Sequence, residues 1–222
     1  MNSELIAPAA LSRILVVDDH AMMRDGLVEL IRHQPDLMVC GEAGEAAGAL
    51  ELIVKTKPDL ILLDLSLPGV SGVDVIKEMR TLHSSAVILV ISMHDENMYA
   101  ERALRAGASG YIMKQEGGQR LMEAIRKVLS GKVFVSDKIA SKILDLYSGK
   151  TADVSPLDRL TDRELQVFQL IGSGKTTRAI AVDLQLSPKT IEVHRARIKE
   201  KLSIETGAAL ISFAARWNEK AS

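Results

Sequence analysis

A chain of 222 residues, 47% apolar and 26% charged with a formal charge of -1, has the make-up of an ordinary globular protein, which excludes a fibrous repeat and a disordered chain. Its length suits two compact units. The longest apolar runs, at 60–63 and 86–91, fall far short of the ~20 residues that cross a bilayer, and residues 1–12 lack the basic leader of a signal peptide. A cytoplasmic protein with no membrane contact is expected. One cysteine, Cys40, excludes an internal disulfide and is expected as a buried, inert thiol. Charge is unevenly spread: Lys and Arg number 17 against 21 Asp and Glu through residue 154, then 11 against 8 from Ser155 onward. The C-terminal part can therefore approach a polyanion, although its charge alone does not require one.

In chain order, Arg13 to Val17, Met38 to Ala43, Asp59 to Leu63, Ala86 to Ser92 and Ser109 to Met113 are predicted strands. Between them, apolar residues recur at helical spacing, as in Leu27, Leu30 and Ile31 or Val73, Ile76 and Met79. Strands that are apolar throughout, alternating with helices, predict a five-stranded, doubly wound parallel sheet covered on both faces. Residues 131–157 change character, with Gly131, Ser136, Gly149 and Pro156 around one helical piece near Ile139 to Leu146. They are expected to form a linker. Beyond it, four helices and no strand are predicted: Asp162 to Gly172, Thr177 to Leu184, Pro188 to Leu202 and Thr206 to Trp217. The expected division is an α/β domain over 1–130 with a flexible tail at 1–12, the linker, and an all-α domain over 158–222.

Ligands of open α/β sheets bind at the carboxyl ends of the strands. There the sequence places Asp18 and Asp19 after the first strand, Asp64 after the third, Ser92 at the end of the fourth and Lys114 after the fifth. Any one of these alone is more simply a cap or a solvated side chain; the joint pattern carries the meaning. Clustered carboxylates repel one another, and a hard divalent cation such as Mg²⁺ relieves the repulsion. With it, Asp64 could attack a phosphoryl donor while Lys114 neutralises the growing charge and Ser92 binds a phosphoryl oxygen. His20 is read as a helix-start residue. The first strand is not followed by a phosphate-cradling glycine loop, which disfavours a dinucleotide site. The stretch Gly172-Ser-Gly-Lys-Thr-Thr177 lacks the first glycine of a P-loop and follows a helix, so it is read as a helix-ending turn.

Leu-Val-Val-Asp-Asp-His, Leu-Leu-Asp-Leu-Ser-Leu-Pro-Gly, Ile-Ser-Met-His-Asp-Glu and Gly-Ala-Ser-Gly-Tyr-Ile-Met-Lys resemble receiver domains of bacterial response regulators, which have a flavodoxin-like fold. The resemblance implies that Asp64 accepts its phosphoryl group from a sensor histidine kinase. It further implies that Asp19 binds Mg²⁺ directly, that Asp18 assists through water, and that the Ser66 carbonyl adds a ligand. Tyr111 matches the aromatic switch, expected to turn inward when phosphorylation of Asp64 pulls Ser92 and its loop inward, which changes the surface of the fourth helix, fifth strand and fifth helix.

In the C-terminal domain, Thr161-Asp-Arg-Glu164 forms a capping box, and Ser187-Pro188 marks a second helix start. On the helix from Pro188, the residues Ile191, His194, Ile198 and Leu202 share one face while Lys189, Val193, Ala196 and Glu200 lie opposite. Small apolar groups ringed by cations suit a DNA major groove, the alternative being a solvated face. The run Leu186-Ser-Pro-Lys-Thr-Ile-Glu-Val-His-Arg-Ala-Arg197, with Ala179-Ile-Ala181 before it, is similar to helix-turn-helix domains of the NarL/FixJ group, also called LuxR-type. That similarity implies that Lys189, Thr190, Glu192, Val193, Ala196 and Arg197 face double-stranded DNA. Lys175 and Arg178 would touch phosphates, and the last helix would pair two subunits. Thr176-Thr-Arg178 departs from the Asn and Glu usual there.

Together these readings describe a homodimeric transcription regulator in which phosphorylated Asp64 shifts a DNA-occluded form toward one able to bind paired half-sites. It is not expected to be an enzyme; it accepts a phosphoryl group on itself, and any autodephosphorylation is incidental. A Mg²⁺-dependent phosphotransferase acting on small molecules would predict turnover, and a pure protein-interaction module would show no salt-dependent DNA binding.

Overall fold

A computed structural model of the chain describes residues 11–147 and 155–221. Five strands, β1 (Ser12–Val17), β2 (Leu37–Ala43), β3 (Leu60–Leu63), β4 (Val87–Ser92) and β5 (Gly110–Met113), form one parallel sheet in the order β2-β1-β3-β4-β5. Every residue of Leu60–Leu63 is buried. Both faces of the central strands must therefore be covered, which is why these strands read as unbroken apolar runs.

The cover comes from α1 (Ala21–Arg32), α2 (Ala46–Thr56), α3 (Gly72–Leu82), α4 (Glu96–Ala106) and α5 (Gly117–Leu129). Ile14, Val16, Leu60, Leu62 and Leu89 pack into one cluster with Leu27 and Ile31 of α1 and Leu121 and Ile125 of α5. Alternation sends Leu15, Ile61, Ile88 and Tyr111 to the opposite face, where they are equally buried. Strand order reverses between β1 and β3, so a crevice opens at their carboxyl ends beside Asp18 and Asp64. Cys40 lies on the edge strand β2 and is partly exposed, its thiol 3.6 Å from the Thr56 hydroxyl; the expected full burial is not observed, because an edge strand lacks a neighbour on one side.

After α5 the chain does not leave the sheet at once: Phe134 pairs with Gly110 in a parallel bridge. The helix expected within the linker is α6 (Asp137–Tyr147). Residues 148–154 of the expected linker, and 1–10 of the expected tail, lie outside the described residues, while Ser12 already opens β1. The described residues group into two units, 11–67 with 74–136 and 68–73 with 137–221.

The second unit continues with α7 (Asp162–Gly172), α8 (Thr177–Asp183), α9 (Pro188–Lys201) and α10 (Gly207–Ala221). Each of the first three starts at a hydroxyl cap. Thr161 accepts from the Glu164 amide, Thr176 from that of Ala179 and Ser187 from that of Thr190. Leu165, Phe168, Ile180, Ile191, Ile198 and Leu210 are buried together with Ala214 as this unit's core. No helix among the described residues is long and apolar enough to cross a membrane.

Candidate functional site

The end of β1 delivers Asp18 and the end of β3 delivers Asp64, at 0% and 1% exposure. Their backbones are fixed by neighbouring strands, the Asp64 amide donating to the Val17 carbonyl and the Asp18 amide to that of Ala43. Lys114, just past β5, donates to Asp18 Oδ2 and to Asp64 Oδ2, both at 2.7 Å. The second oxygens are also occupied: Asp18 Oδ1 accepts from the His20 amide and Asp64 Oδ1 from that of Ser66. Burial lowers the Lys114 pKa, but the opposing pull of Asp64 and Asp18 wins and the net shift is upward. The ammonium therefore stays charged between the two acids.

Asp19 is partly exposed at the rim, with His20 Nδ1 2.8 Å from its carboxylate. His20 is the N-cap of α1 without a side-chain capping bond. One potential ligand atom each from Asp18, Asp19, His20 and Asp64 lie within 4.8 Å of one another. Three carboxylates against one ammonium leave a local excess of two negative charges, and the oxygen-rich set fits a hard divalent cation.

Ser92 is fully buried, and its hydroxyl accepts from the His94 amide at 3.1 Å. The Tyr111 hydroxyl donates to the His94 carbonyl at 2.7 Å, and the ring is 2% exposed. Burial pushes the phenol pKa upward, assisted by the charges of Asp64, Asp95 and Glu96 and opposed by a Ser92 hydrogen bond. Tyr111 thus already occupies the inward position that the sequence reading associated with phosphorylation. Sequence reasoning also gave His94 no role. Its ring stacks on Tyr99 at 4.7 Å, its Nε2 lies 3.2 Å from the Ser66 hydroxyl, and burial holds its pKa down. The only signal was its place two residues after Ser92.

In the second unit, Ile191 and Ile198 of α9 are buried, whereas Lys189, Glu192, Val193, Ala196 and Arg197 are exposed. Val193 is 44% exposed, an apolar side chain that an ordinary solvated face does not require. Thr190 shares a hydrogen bond with the Ser187 hydroxyl at 2.8 Å. Glu192 accepts from the Thr177 hydroxyl at 2.8 Å, which joins α8 to α9 within the stretch where the sequence departs from the family's usual residues. Arg178 is exposed, while Lys175 is paired with Asp183 at 2.6 Å and must exchange that partner to reach a phosphate. His194 packs inward, its Nδ1 buried without a hydrogen bond. α7 ends at Gly172 and Gly174 takes φ +76°, so the P-loop-like string is the terminating turn of a helix.

Comparison with known proteins yields two family matches: the response regulator receiver domain over residues 14–126, and the luxR family of bacterial regulatory proteins over 158–214. The response regulator GacA of Pseudomonas aeruginosa is 33% identical over 205 residues, covering 92% of this chain and 95% of that protein. A solved LuxR-family two-component response regulator from Aurantimonas sp. is 36% identical, covers 63% of this chain and 99% of its own, and superposes with a TM-score of 0.58. RcsB from Salmonella enterica serovar Typhimurium, solved bound to the promoter rprA with the phosphomimetic BeF3-, has a TM-score of 0.63 at 22% identity over 93% of this chain and 99% of that one. This last likeness concerns fold alone.

Proposed function

Because the chain belongs to the two-component response regulators of the NarL/LuxR family, with a receiver domain and a LuxR-type DNA-binding domain, we propose that phosphorylation of Asp64 by a sensor histidine kinase controls how α9 meets DNA. The observation carrying this reading is Lys114, whose single ammonium is held 2.7 Å from both Asp18 and Asp64 at the bottom of the acid cluster. Asp64 supplies the attacking oxygen: its bond to phosphorus forms as the donor's phosphorus–nitrogen bond breaks. Lys114 follows the charge onto the phosphoryl oxygens, and Ser92 offers them a hydroxyl. Asp18, Asp19 and Asp64 with the Ser66 carbonyl would hold Mg²⁺, which supplies positive charge where the equatorial oxygens gather negative charge.

Functionally, residues 1–130 receive the signal, 131–157 tether, and 158–222 read DNA in the cytoplasm. On α9, Lys189, Thr190 and Arg197 bind phosphates or base edges, and Val193 and Ala196 meet thymine methyls, with Glu192 beside them. Lys175 and Arg178 add backbone contacts. Phosphorylation shifts the population from a DNA-occluded form to a homodimer on paired half-sites.

The test compares full-length wild type and Asp64→Asn on DNA fragments recovered by genomic pull-down, with acetyl phosphate and Mg²⁺ present or absent. Intact-mass measurement should find one phosphoryl group on wild type and none on the variant. Only wild type should gain affinity, by about tenfold or about 1.4 kcal/mol. Equal gains in both proteins would remove Asp64 from the mechanism.

A further inference from the structure

The short segment between α5 and α6 has no part in the phosphoryl chemistry, yet it is fastened to the elements that carry it. The Phe134 amide donates to the Ser109 carbonyl at 3.1 Å, and the Phe134 carbonyl accepts from the Tyr111 amide at 2.8 Å. Phe134 therefore runs along the outer edge of β5. Its ring is 3% exposed, part of the core beneath α5, with the cations of Arg120 and Lys127 at 4.8 and 5.3 Å from its centroid. Two residues later, the Ser136 hydroxyl donates to Glu96 Oε1 at 2.9 Å, and Glu96 opens α4. Close approach depends on Gly110, where a Cβ would stand 2.8 Å from the Phe134 carbonyl oxygen.

Both attachment points adjoin the parts of the site that a phosphoryl group would displace. The Tyr111 hydroxyl holds the His94 carbonyl, and the His94 amide holds the Ser92 hydroxyl. Movement of Ser92 toward a phosphoryl oxygen would therefore pull on the loop before α4 and on Tyr111, already inward, and through their hydrogen bonds on Glu96 and Phe134. Beyond Ser136 the chain enters α6 directly at Asp137.

We infer that residues 132–136 are a releasable strap: its bonds to β5 and α4 hold the start of the tether while Asp64 is unmodified, and phosphorylation loosens them. Loosening frees chain between the units, and the free length of a tether sets how readily two tethered sites engage together. This inference rests on the reading of Asp64 as phosphoryl acceptor.

Two measurements on the full chain test it. Hydrogen exchange with beryllofluoride and Mg²⁺, a non-covalent stand-in for the phosphoryl group, should show the amides of Tyr111 and Phe134 losing at least threefold in protection. Ser136→Ala and Glu96→Ala should accept phosphoryl from acetyl phosphate as wild type does, yet bind DNA at least threefold more tightly when unphosphorylated. Glu96→Gln, which keeps an acceptor oxygen for Ser136, should restore wild-type affinity. Unchanged or increased protection at Phe134 would overturn the strap, as would alanine variants whose unphosphorylated affinity matches wild type. Failure of the underlying reading shows separately, in wild type alone, as no loading of Asp64 or loading without change in affinity.

Discussion

Lys114 determines whether Asp18 and Asp64 can be buried together, since two carboxylates at 0% and 1% exposure tolerate each other only beside a cation. Removing one member of such a group leaves charge buried without compensation, which costs about 3 kcal/mol or more. Lys114→Met should lower the denaturant midpoint of the first unit accordingly in EDTA, and Mg²⁺ should restore more stability to the variant than it adds to wild type. Equal Mg²⁺ responses would mean that the ammonium and the metal do not share the same carboxylates. The raised Lys114 pKa also has a definite sign. Its contribution is complete below the ordinary lysine value of 10.5 and is lost as pH rises through the higher folded value, so alkaline unfolding of wild type should begin above about 10.5 and Lys114→Met should lack that component. These residues were legible in the sequence because strand ends place polar side chains at one sheet edge whatever the loops do. The contacts of His94 were not, because those with Ser66 and Tyr111 depend on the path of the loop after β4.

The start of α7 carries the clearest ionic element of the second unit. Glu164 is buried from solvent, and its Oε2 accepts from the Thr161 amide at 2.8 Å and from Lys201 at 2.6 Å. Burial raises the carboxyl pKa, but the Lys201 and Thr161 hydrogen bonds outweigh it, and the folded value lies below the ordinary one. A depressed carboxylate contributes stability above its unfolded pKa and loses it as pH falls through the folded value, a window that opens below the ordinary 4.5. Thermal unfolding followed by Trp217, the single tryptophan, which lies 6.0 Å from Phe213 on α10, reports this unit within the whole chain. Glu164→Gln should cost about 1–3 kcal/mol at pH 7 and should flatten the decline of wild type below pH 4.5. An unchanged acid profile would assign that decline to other carboxyls. A capping box writes a helix start, which is why α7 begins where the sequence places it, at Asp162; its end at Gly172 follows instead from the glycine turn in which Gly174 takes φ +76°. The segment around Phe134 left no such mark. One bridge and one buried ring have no period, so the stretch read as plain linker.

At the scale of the whole molecule, a population shift and a new DNA contact make different predictions. If phosphorylation changes only the fraction of molecules able to bind, apparent affinity scales with that fraction while the bound complex stays the same. The slope of log affinity against log salt reports phosphates neutralised in that complex, at about 0.9 per contact on duplex DNA. Titrations on a paired half-site, with both forms bound as dimers, should therefore give parallel lines for phosphorylated and unphosphorylated protein, offset by about one log unit. Lys189→Ala removes an exposed cation near the start of α9 and should reduce both slopes by about 1.8, one contact per subunit. Val193→Ala removes apolar contact without charge, so it should relax sequence preference and leave the slopes unchanged. A slope that steepens on phosphorylation would mean that the modified protein makes additional phosphate contacts, and the signal would then act on the DNA interface itself as well as on the population that presents it.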